Sequence, residues 1–196
     1  MRAFVFFSSI ALSVSLISGC STSVEKPRPM DFGVVISGDS QQFQSVSTFA
    51  WHDRSGTVIA KDKQRAQEAS QLYHALVEQV MIDKGYRLVS RPLEADVLLA
   101  VAIAQQSEMT DSDIFVKTML STGILPVDEA GEAVEKGSLY VAAFSTKAAL
   151  QDNRTQPMWR ALAQRPLKDD VDEETRLSLA TDLVKRMMNS IPTSHQ

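Results

Sequence analysis

The feature that most constrains the fold is a ten-residue stretch, 95–104, that is apolar almost throughout. Its large aliphatic side chains are Val97, Leu98, Leu99, Val101 and Ile103. A strand with one solvated face alternates apolar and polar residues, whereas a strand buried on both faces is a continuous apolar run. The stretch therefore predicts a central β-strand that is buried on both faces.

Two longer segments have apolar residues spaced three and four positions apart, which is the spacing of an amphipathic helix. The first covers residues 62–84 and precedes Gly85, a residue type that often ends helices. The second follows the acidic segment 169–174 and stops at Pro192. Asp170 and Glu173 fit a capping box at its start, and the acidic residues suit the helix dipole there.

Shorter runs rich in β-forming residues predict strands near residues 32–36, 46–51, 86–89, 137–146 and 158–163. In the last of these strands, Trp159 is expected in the core, and Arg160 is expected to point the other way toward an acid such as Asp96. The order of elements predicts an α+β domain with a mixed or antiparallel sheet and two long amphipathic helices packed on one face.

The composition is that of one ordinary globular domain, with 196 residues of which 44% are hydrophobic and 22% are charged. The formal net charge is −4, so no basic excess favours binding to nucleic acid. Cys20 is the one cysteine of the chain, which excludes an intramolecular disulfide and a cysteine-rich zinc site.

Cys20 ends a segment that is typical of a secretory signal peptide. After Arg2, residues 3–17 are apolar or small, and this run is too short for a membrane span, which needs roughly 20 apolar residues. Residues 17–20, Ile-Ser-Gly-Cys, resemble the bacterial lipobox, in which the cysteine thiol receives diacylglycerol before cleavage. The alternative is a buried free cysteine in a secreted protein. The agreement of the two signals favours removal of residues 1–19 and lipidation of Cys20.

The residues after the cysteine predict how the domain is displayed. Residues 20–30 comprise the lipidated cysteine and a flexible tether of small, polar and proline residues, and residues 31–196 form a single domain. Two or more acyl chains anchor a protein stably to a membrane. Ser21 in place of aspartate resembles the signal that sorts lipoproteins to the bacterial outer membrane, with the domain facing the periplasm. Surface display is also compatible with these signals.

Residues 105–136 form an insert between two predicted strands, with a short helix expected near 111–121. The insert contains seven acidic residues: Glu108, Asp111, Asp113, Asp128, Glu129, Glu132 and Glu135. Its apolar residues either pack on the sheet or expose a patch for a protein partner or a lipid chain. The candidate patch consists of Ile114, Phe115, Met119 and Leu120.

Few patterns indicate catalysis. The sequence contains no nucleotide-binding glycine motif, no His-Glu-x-x-His zinc motif and no Gly-x-Ser-x-Gly elbow. Its histidines are His52 beside Asp53, His74 four residues before Glu78, and His195 near the C-terminus. Neighbours on a strand point to opposite faces, which disfavours a triad through His52, and His74 with Glu78 is typical of a solvated helix pair. We expect no catalytic residue, no cofactor and no metal ligand.

Acidic pairs in the insert are the remaining candidates for chemistry, because paired carboxylates hydrolyse glycosidic bonds. The pairs are Asp111 with Asp113 and Asp128 with Glu129. A calcium site would need more oxygen ligands than Asp-x-Asp supplies. A solvated acidic loop is the alternative that the sequence favours.

Several short segments, taken in order, resemble one known family. They are the lipobox, Thr48-Phe49-Ala50-Trp51, Lys84-Gly85-Tyr86, Ala95-Asp96-Val97-Leu98-Leu99, Gly137-Ser138-Leu139 and Met158-Trp159-Arg160. Over residues 43–192 this order resembles the bacterial lipoproteins grouped as domain of unknown function 4136. Family members are expected to carry aspartates after the Gly-x-Leu strand start and a glycine after Trp-Arg, where this chain has 140–145 without aspartate and Ala161. The resemblance implies a periplasm-facing lipoprotein fold and no established activity.

The leading hypothesis is a membrane-anchored bacterial lipoprotein with a non-enzymatic binding or scaffolding domain in the cell envelope. Its expected partners are the membrane, through the N-terminal lipid, and an envelope protein. Two alternatives remain: an envelope hydrolase that uses carboxylates of the 105–136 insert, and a carrier of a lipid or other apolar ligand between the sheet and the insert.

Overall fold

The computed structural model describes residues 32–128, 131–151, 156–167 and 171–194. The predicted signal peptide, Cys20 and the tether lie outside the described residues, as do Glu129, Asp170 and His195.

Over these ranges the chain forms seven strands and four α-helices. The strands are β1 (Gly33–Gly38), β2 (Thr48–Trp51), β3 (Thr57–Ile59), β4 (Arg87–Leu88), β5 (Val97–Gln105), β6 (Lys136–Ser145) and β7 (Trp159–Pro166). The helices are α1 (Lys63–Asp83), α2 (Asp111–Thr118), α3 (Thr146–Gln151) and α4 (Glu173–Met187). Two 3-10 helices, Ser40–Ser45 and Pro92–Glu94, lie in connections between strands. Because β3 and α3 are too short to show a period, the sequence did not predict them.

The strands form one mixed sheet in the order β1-β7-β6-β5-β2-β4, and β3 pairs with the far end of β5. Neighbouring strands are antiparallel from β1 through β7 and β6 to β5. The β2 strand runs parallel to both of its neighbours, β5 and β4. The longest pairing joins β5 and β6, from Val97 opposite Ser145 to Gln105 opposite Gly137. Because side chains alternate along a strand, this register assigns the central residues to two distinct faces.

Both long helices begin at aspartate caps. Asp62 and Asp172 each accept a hydrogen bond from the backbone amide three residues further on. The α1 helix ends before Gly85, whose φ of +88° is a left-handed conformation that glycine adopts without strain. The predicted capping box of Asp170 with Glu173 is wrong, because Asp172 caps α4 and Glu173 is its first residue.

The α1 and α4 helices pack on one face of the sheet and enclose the main hydrophobic core. Its members from the sheet include Phe49, Val97, Leu99, Val101, Val141 and Trp159, and those from the helices include Val77, Met81, Val184 and Met187. Trp159 is fully buried, and its indole N–H donates to the Ser190 hydroxyl at 3.1 Å. The predicted fold class is therefore confirmed, as is the core position of Trp159.

Shorter elements cover the opposite face of the sheet. One small cluster joins Leu98 to Ala50 and Ala95, and a second joins Ile114 and Leu120 of the insert to Leu162. The β5 strand is buried on both faces over its first half, as predicted, and partly exposed over its second half.

Asp96 ties the start of β5 to the start of β2. One of its carboxylate oxygens accepts hydrogen bonds from the amides of Ser47 and Thr48, both at 2.9 Å, and from the Thr48 hydroxyl at 2.8 Å. Burial alone would raise the pKa of Asp96, but these bonds outweigh it and lower the pKa. The predicted pairing of Asp96 with Arg160 is wrong, because the carboxylate is bound by β2 instead.

Candidate binding surface of the insert

The insert is organised around α2, which begins with a capping box. The Thr110 hydroxyl accepts from the amide of Asp113 at 3.2 Å, and the Asp113 carboxylate accepts from the amide and hydroxyl of Thr110 at 3.1 and 2.6 Å. These bonds, chiefly the one from the hydroxyl, lower the pKa of Asp113. Asp113 therefore stabilises the start of the helix.

A buried lysine anchors the insert to the sheet. Lys136 is 1% exposed, and its ammonium group donates to the Asp111 carboxylate and to the Ile124 carbonyl, both at 2.7 Å. Lysine is rarely buried without such partners, because removing its charge from water is costly. The two bonds hold the start of α2 and the segment after it against the start of β6.

Gln164 on β7 extends this network across the sheet. Its amide nitrogen donates to the second oxygen of Asp111 at 2.9 Å and to the Ser138 hydroxyl at 3.0 Å, and its carbonyl accepts from Thr122. Burial alone would raise the pKa of Asp111, but the bonds from Lys136 and Gln164 outweigh it and keep the pKa below the usual 3.8. We refer to Asp111, Lys136 and Gln164 as the insert anchor.

The predicted patch divides into buried and exposed residues. Ile114 and Leu120 are 4% and 3% exposed and pack on Leu162, so these two belong to the core. Phe115 and Met119 are 46% and 57% exposed. This division follows from the orientation of α2. The side of the helix that faces the sheet contains Ile114 and Thr118, which are both buried.

The exposed side of α2 carries a further apolar residue, Val116, which is 73% exposed. Met119 follows at the C-terminal end of the helix, where its amide donates to the Phe115 carbonyl at 2.7 Å. Met119 ends the helix in a left-handed conformation, with φ of 55°, after which Leu120 enters the core. We refer to Phe115, Val116 and Met119 as the α2 surface.

The described acids of the predicted hydrolytic pairs stabilise local structure. Asp111 belongs to the insert anchor, Asp113 caps α2, and Asp128 accepts a hydrogen bond from the amide of Glu132 at 2.9 Å. The pKa values of Asp111 and Asp113 are lowered, whereas a general acid would need a raised pKa.

Two clefts of about 510 and 420 Å³ indent the described surface, and residues outside the insert line both of them. The first lies at the end of the sheet near Asp96 and Thr146, and the second lies beside α1 near His74. Neither cleft is the space between sheet and insert that an apolar ligand carrier would use, because the insert packs on the sheet there.

His74 lies in a polar cluster at the second cleft. Its ring stacks on Trp51 with centroids 3.4 Å apart, and its Nε2 atom is 3.0 Å from the Ser55 hydroxyl. Glu78 accepts a hydrogen bond from the Trp51 indole at 3.2 Å, and both His74 and Glu78 are half-buried, so the predicted pair interacts but is not solvated. Burial lowers the pKa of His74, and the Glu78 charge opposes this effect.

The contact between Ser55 and His74 resembles a nucleophile and its base, but the surrounding bonds have another role. The Ser55 hydroxyl accepts from the Val101 amide at 3.0 Å, which ties the turn after β2 to β5. The amides of Ser55 and Gly56 donate to the carbonyls of His52 and Val101. These two amides are therefore not available to stabilise an oxyanion.

His52 contacts Asp53 across 2.6 Å, although neighbours on a strand were expected to point apart. The expectation fails because β2 ends at Trp51 and Asp53 belongs to the turn that follows. The His52 ring packs on Phe144, with centroids 5.2 Å apart, on the sheet face opposite α1.

Within the described ranges, no group of three or more His, Cys, Asp or Glu side chains is placed to hold a metal ion. In that same part of the chain, no helix combines the length and the apolar character needed to cross a membrane.

Sequence reasoning missed Lys136 and Gln164. The alternation of β6 places residues 136 and 138 on one face, which was a usable signal. The partner of Lys136 is 25 positions away, and Gln164 is 53 positions from Asp111, so no local period could join them.

Comparisons with known proteins agree with the resemblance seen in the sequence. Residues 34–193 match a family model described as domain of unknown function, DUF4136. A DUF4136 family protein from Bacteroides thetaiotaomicron is 15% identical, with 84% of this chain and 100% of that chain covered and a TM-score of 0.50. The PelC dodecamer from Paraburkholderia phytofirmans is 11% identical, with 84% and 99% covered and a TM-score of 0.48. None of the curated proteins compared with this chain matches it. Because the family model spans most of the sequence, the chain belongs to the DUF4136 family.

Proposed function

We propose that this chain is a lipid-anchored bacterial lipoprotein whose domain binds another component of the cell envelope without catalysis, and that the α2 surface is its contact site. Lipidation at Cys20 and outer-membrane localisation facing the periplasm are parts of the proposal that rest on the signal peptide and lipobox.

The observation that carries the binding role is an exposed apolar surface on a fixed base. Phe115, Val116 and Met119 are between 46% and 73% exposed, while the insert anchor is held by hydrogen bonds and Ile114 on the other side of the helix is buried. Exposed apolar side chains that group together commonly mark interaction sites, and these three lie within five residues of one short helix and its cap. A surface that is already fixed loses little conformational entropy on binding, which favours affinity.

The roles of the insert acids support a binding domain over a hydrolase. Asp111 and Asp113 are occupied by hydrogen bonds that lower their pKa values, and each stabilises the element that carries the α2 surface. The acids thereby maintain the shape of the contact site.

The lipid anchor is tested by metabolic labelling of the full chain with radioactive palmitate in bacteria. The parent chain should incorporate label and be shortened by the signal peptide, whereas Cys20→Ser should do neither. Ser21→Ala is the matched control and should keep the label. Labelling of Cys20→Ser at the level of the parent would refute the anchor.

The contact site is tested by photo-crosslinking in intact cells. A photoreactive phenylalanine replaces Phe115 in one variant and Leu177 of α4 in the other, because the two side chains are 46% and 47% exposed on opposite faces of the sheet. We expect the Phe115 position to yield a discrete adduct that the Leu177 position does not. No adduct at Phe115, or identical adducts at both positions, would contradict the proposal.

A further inference from the structure

We infer that the partner of the α2 surface is a basic, apolar polypeptide segment close to the membrane, in which Lys or Arg side chains flank apolar ones. This inference rests on the proposed function, and it adds the chemistry of the partner.

The insert that carries the α2 surface is negatively charged. The insert has seven acidic residues and two lysines, Lys117 and Lys136. Lys136 is buried against Asp111, so it projects little charge to the surface. Asp113 precedes Val116 by three positions and therefore lies beside it on the helix. Other acidic side chains of the insert that are exposed are Glu108, Asp128 and Glu132. The insert that carries the contact site therefore has a net negative charge, with Asp113 next to the contact site and Lys117 as the exposed cation of α2.

The path of the chain places this surface near the anchored end of the domain. Gly33 begins β1, and a Cβ atom added there would overlap with Ile124 and lie 3.0 Å from Thr122 of the insert. Val35 of β1 packs on the cluster that contains Ile114. Thirteen residue steps separate Cys20 from Gly33, which is at most about 47 Å of extended chain. A partner at the α2 surface is therefore within reach of the membrane.

Electrostatics distinguishes between the occupants that could cover this surface. An anionic lipid surface repels acidic side chains and attracts basic ones. A second copy in a two-fold arrangement would place two negatively charged inserts against each other, which is unfavourable. A segment with Lys or Arg around apolar side chains matches both the apolar α2 surface and the negative charge of the insert.

The test titrates the full chain, purified in detergent, with two fluorescent helical peptides of equal length. One peptide is made of Leu and Lys and the other of Leu and Glu. We expect the Leu/Lys peptide to bind, to weaken as salt is added, and to lose about tenfold or more in affinity with V116S/M119S. The matched control is L177S/L179S, which changes two exposed leucines of α4 and should leave the affinity unchanged.

Equal affinity of V116S/M119S and the parent, or equal binding of the two peptides, would overturn the inference. Two further measurements identify other occupants. If the Cys20→Ser chain binds phosphatidylcholine vesicles and V116S/M119S abolishes this binding, the surface would be assigned to lipid. If sedimentation shows a dimer and V116S/M119S abolishes the dimer, the α2 surface would be assigned to a second copy of the chain. An adduct at Phe115 without preference for the Leu/Lys peptide would leave the proposed function intact and refute only the partner chemistry.

Discussion

Replacing Asp111 with asparagine should destabilise the domain more than removing the lysine that Asp111 binds. In Asp111→Asn, the buried Lys136 ammonium and the Gln164 amide compete for a single acceptor oxygen where the parent offers two. A buried charge that loses its partner costs about 3–5 kcal/mol. Because the Asp111 side chain is 43% exposed, water partly compensates, and we expect a loss near the lower end of that range.

Lys136→Met removes the charge together with its desolvation cost. The Asp111 carboxylate then faces water, and the main loss is the donor to the Ile124 carbonyl, which is worth about 1–3 kcal/mol. The double variant should be about as stable as Lys136→Met alone, so the two substitutions should be non-additive by up to about 3 kcal/mol.

Urea unfolding followed by far-ultraviolet circular dichroism measures these differences. Glu132→Gln removes an exposed acid from the same insert and should change stability by less than about 0.5 kcal/mol. If Asp111→Asn were no more damaging than Lys136→Met, or if the two losses simply added, Lys136 would not be a charge that depends on Asp111.

The pH dependence of the same unfolding curve tests the sign of the interaction. The pKa of Asp111 lies below the usual 3.8 in the folded protein, so its stabilising contribution is complete above that pH and is lost as pH falls through the folded pKa. Lys136→Met should flatten the decline in the free energy of unfolding below pH 4. An unchanged decline would show that other groups cause it.

Two further predictions concern close packing and a buried hydroxyl. Gly33→Ala should lower the melting temperature, because the new Cβ would overlap with the Ile124 side chain and overpacking costs about 1–3 kcal/mol. Gly137→Ala should cost less, because its new Cβ meets the flexible end of Leu167, and equal losses in the two variants would contradict this prediction. Burial raises the pKa of Tyr86 to about 12, whereas an unfolded tyrosine ionises near pH 10. The contribution of the protonated Tyr86 hydroxyl to folding stability is therefore complete below pH 10 and is lost as the pH rises toward 12. Tyr86→Phe should therefore reduce the fall in unfolding free energy above pH 10, and an identical fall would refute the assignment.

The parts of the fold that could be predicted are the elements in which buried apolar residues recur at a regular spacing along the chain. The α1 helix lies at Lys63–Asp83 against a predicted 62–84, and β5 lies at Val97–Gln105 against a predicted 95–104. These elements bury one side or both sides over many residues, so the period of 3.6 or the continuous apolar run is visible locally. The β3 strand could not be found in this way, because three residues carry no period and its partner is the distant end of β5.

The candidate site was harder to predict because its residues meet through the sheet. Asp111 appeared as one member of an acidic loop, and its pairing with Lys136 exists because β6 begins beneath α2. His74 appeared as a helix surface residue, and its contact with Ser55 depends on the turn that follows β2. Both errors came from judging a polar side chain by its neighbours along the chain.

The amino-acid order alone was sufficient for the family, the strands and helices with a clear period, and the signal-peptide and lipobox pattern that predicts an anchor at Cys20. It could not separate Ile114 and Leu120, which are buried, from Phe115 and Met119, which are exposed. That separation depends on which side of α2 faces β7, and the insert anchor sets this side through bonds between residues far apart in sequence. Burial is a property of the assembled sheet, so the candidate binding surface became defined only when the strands were in place.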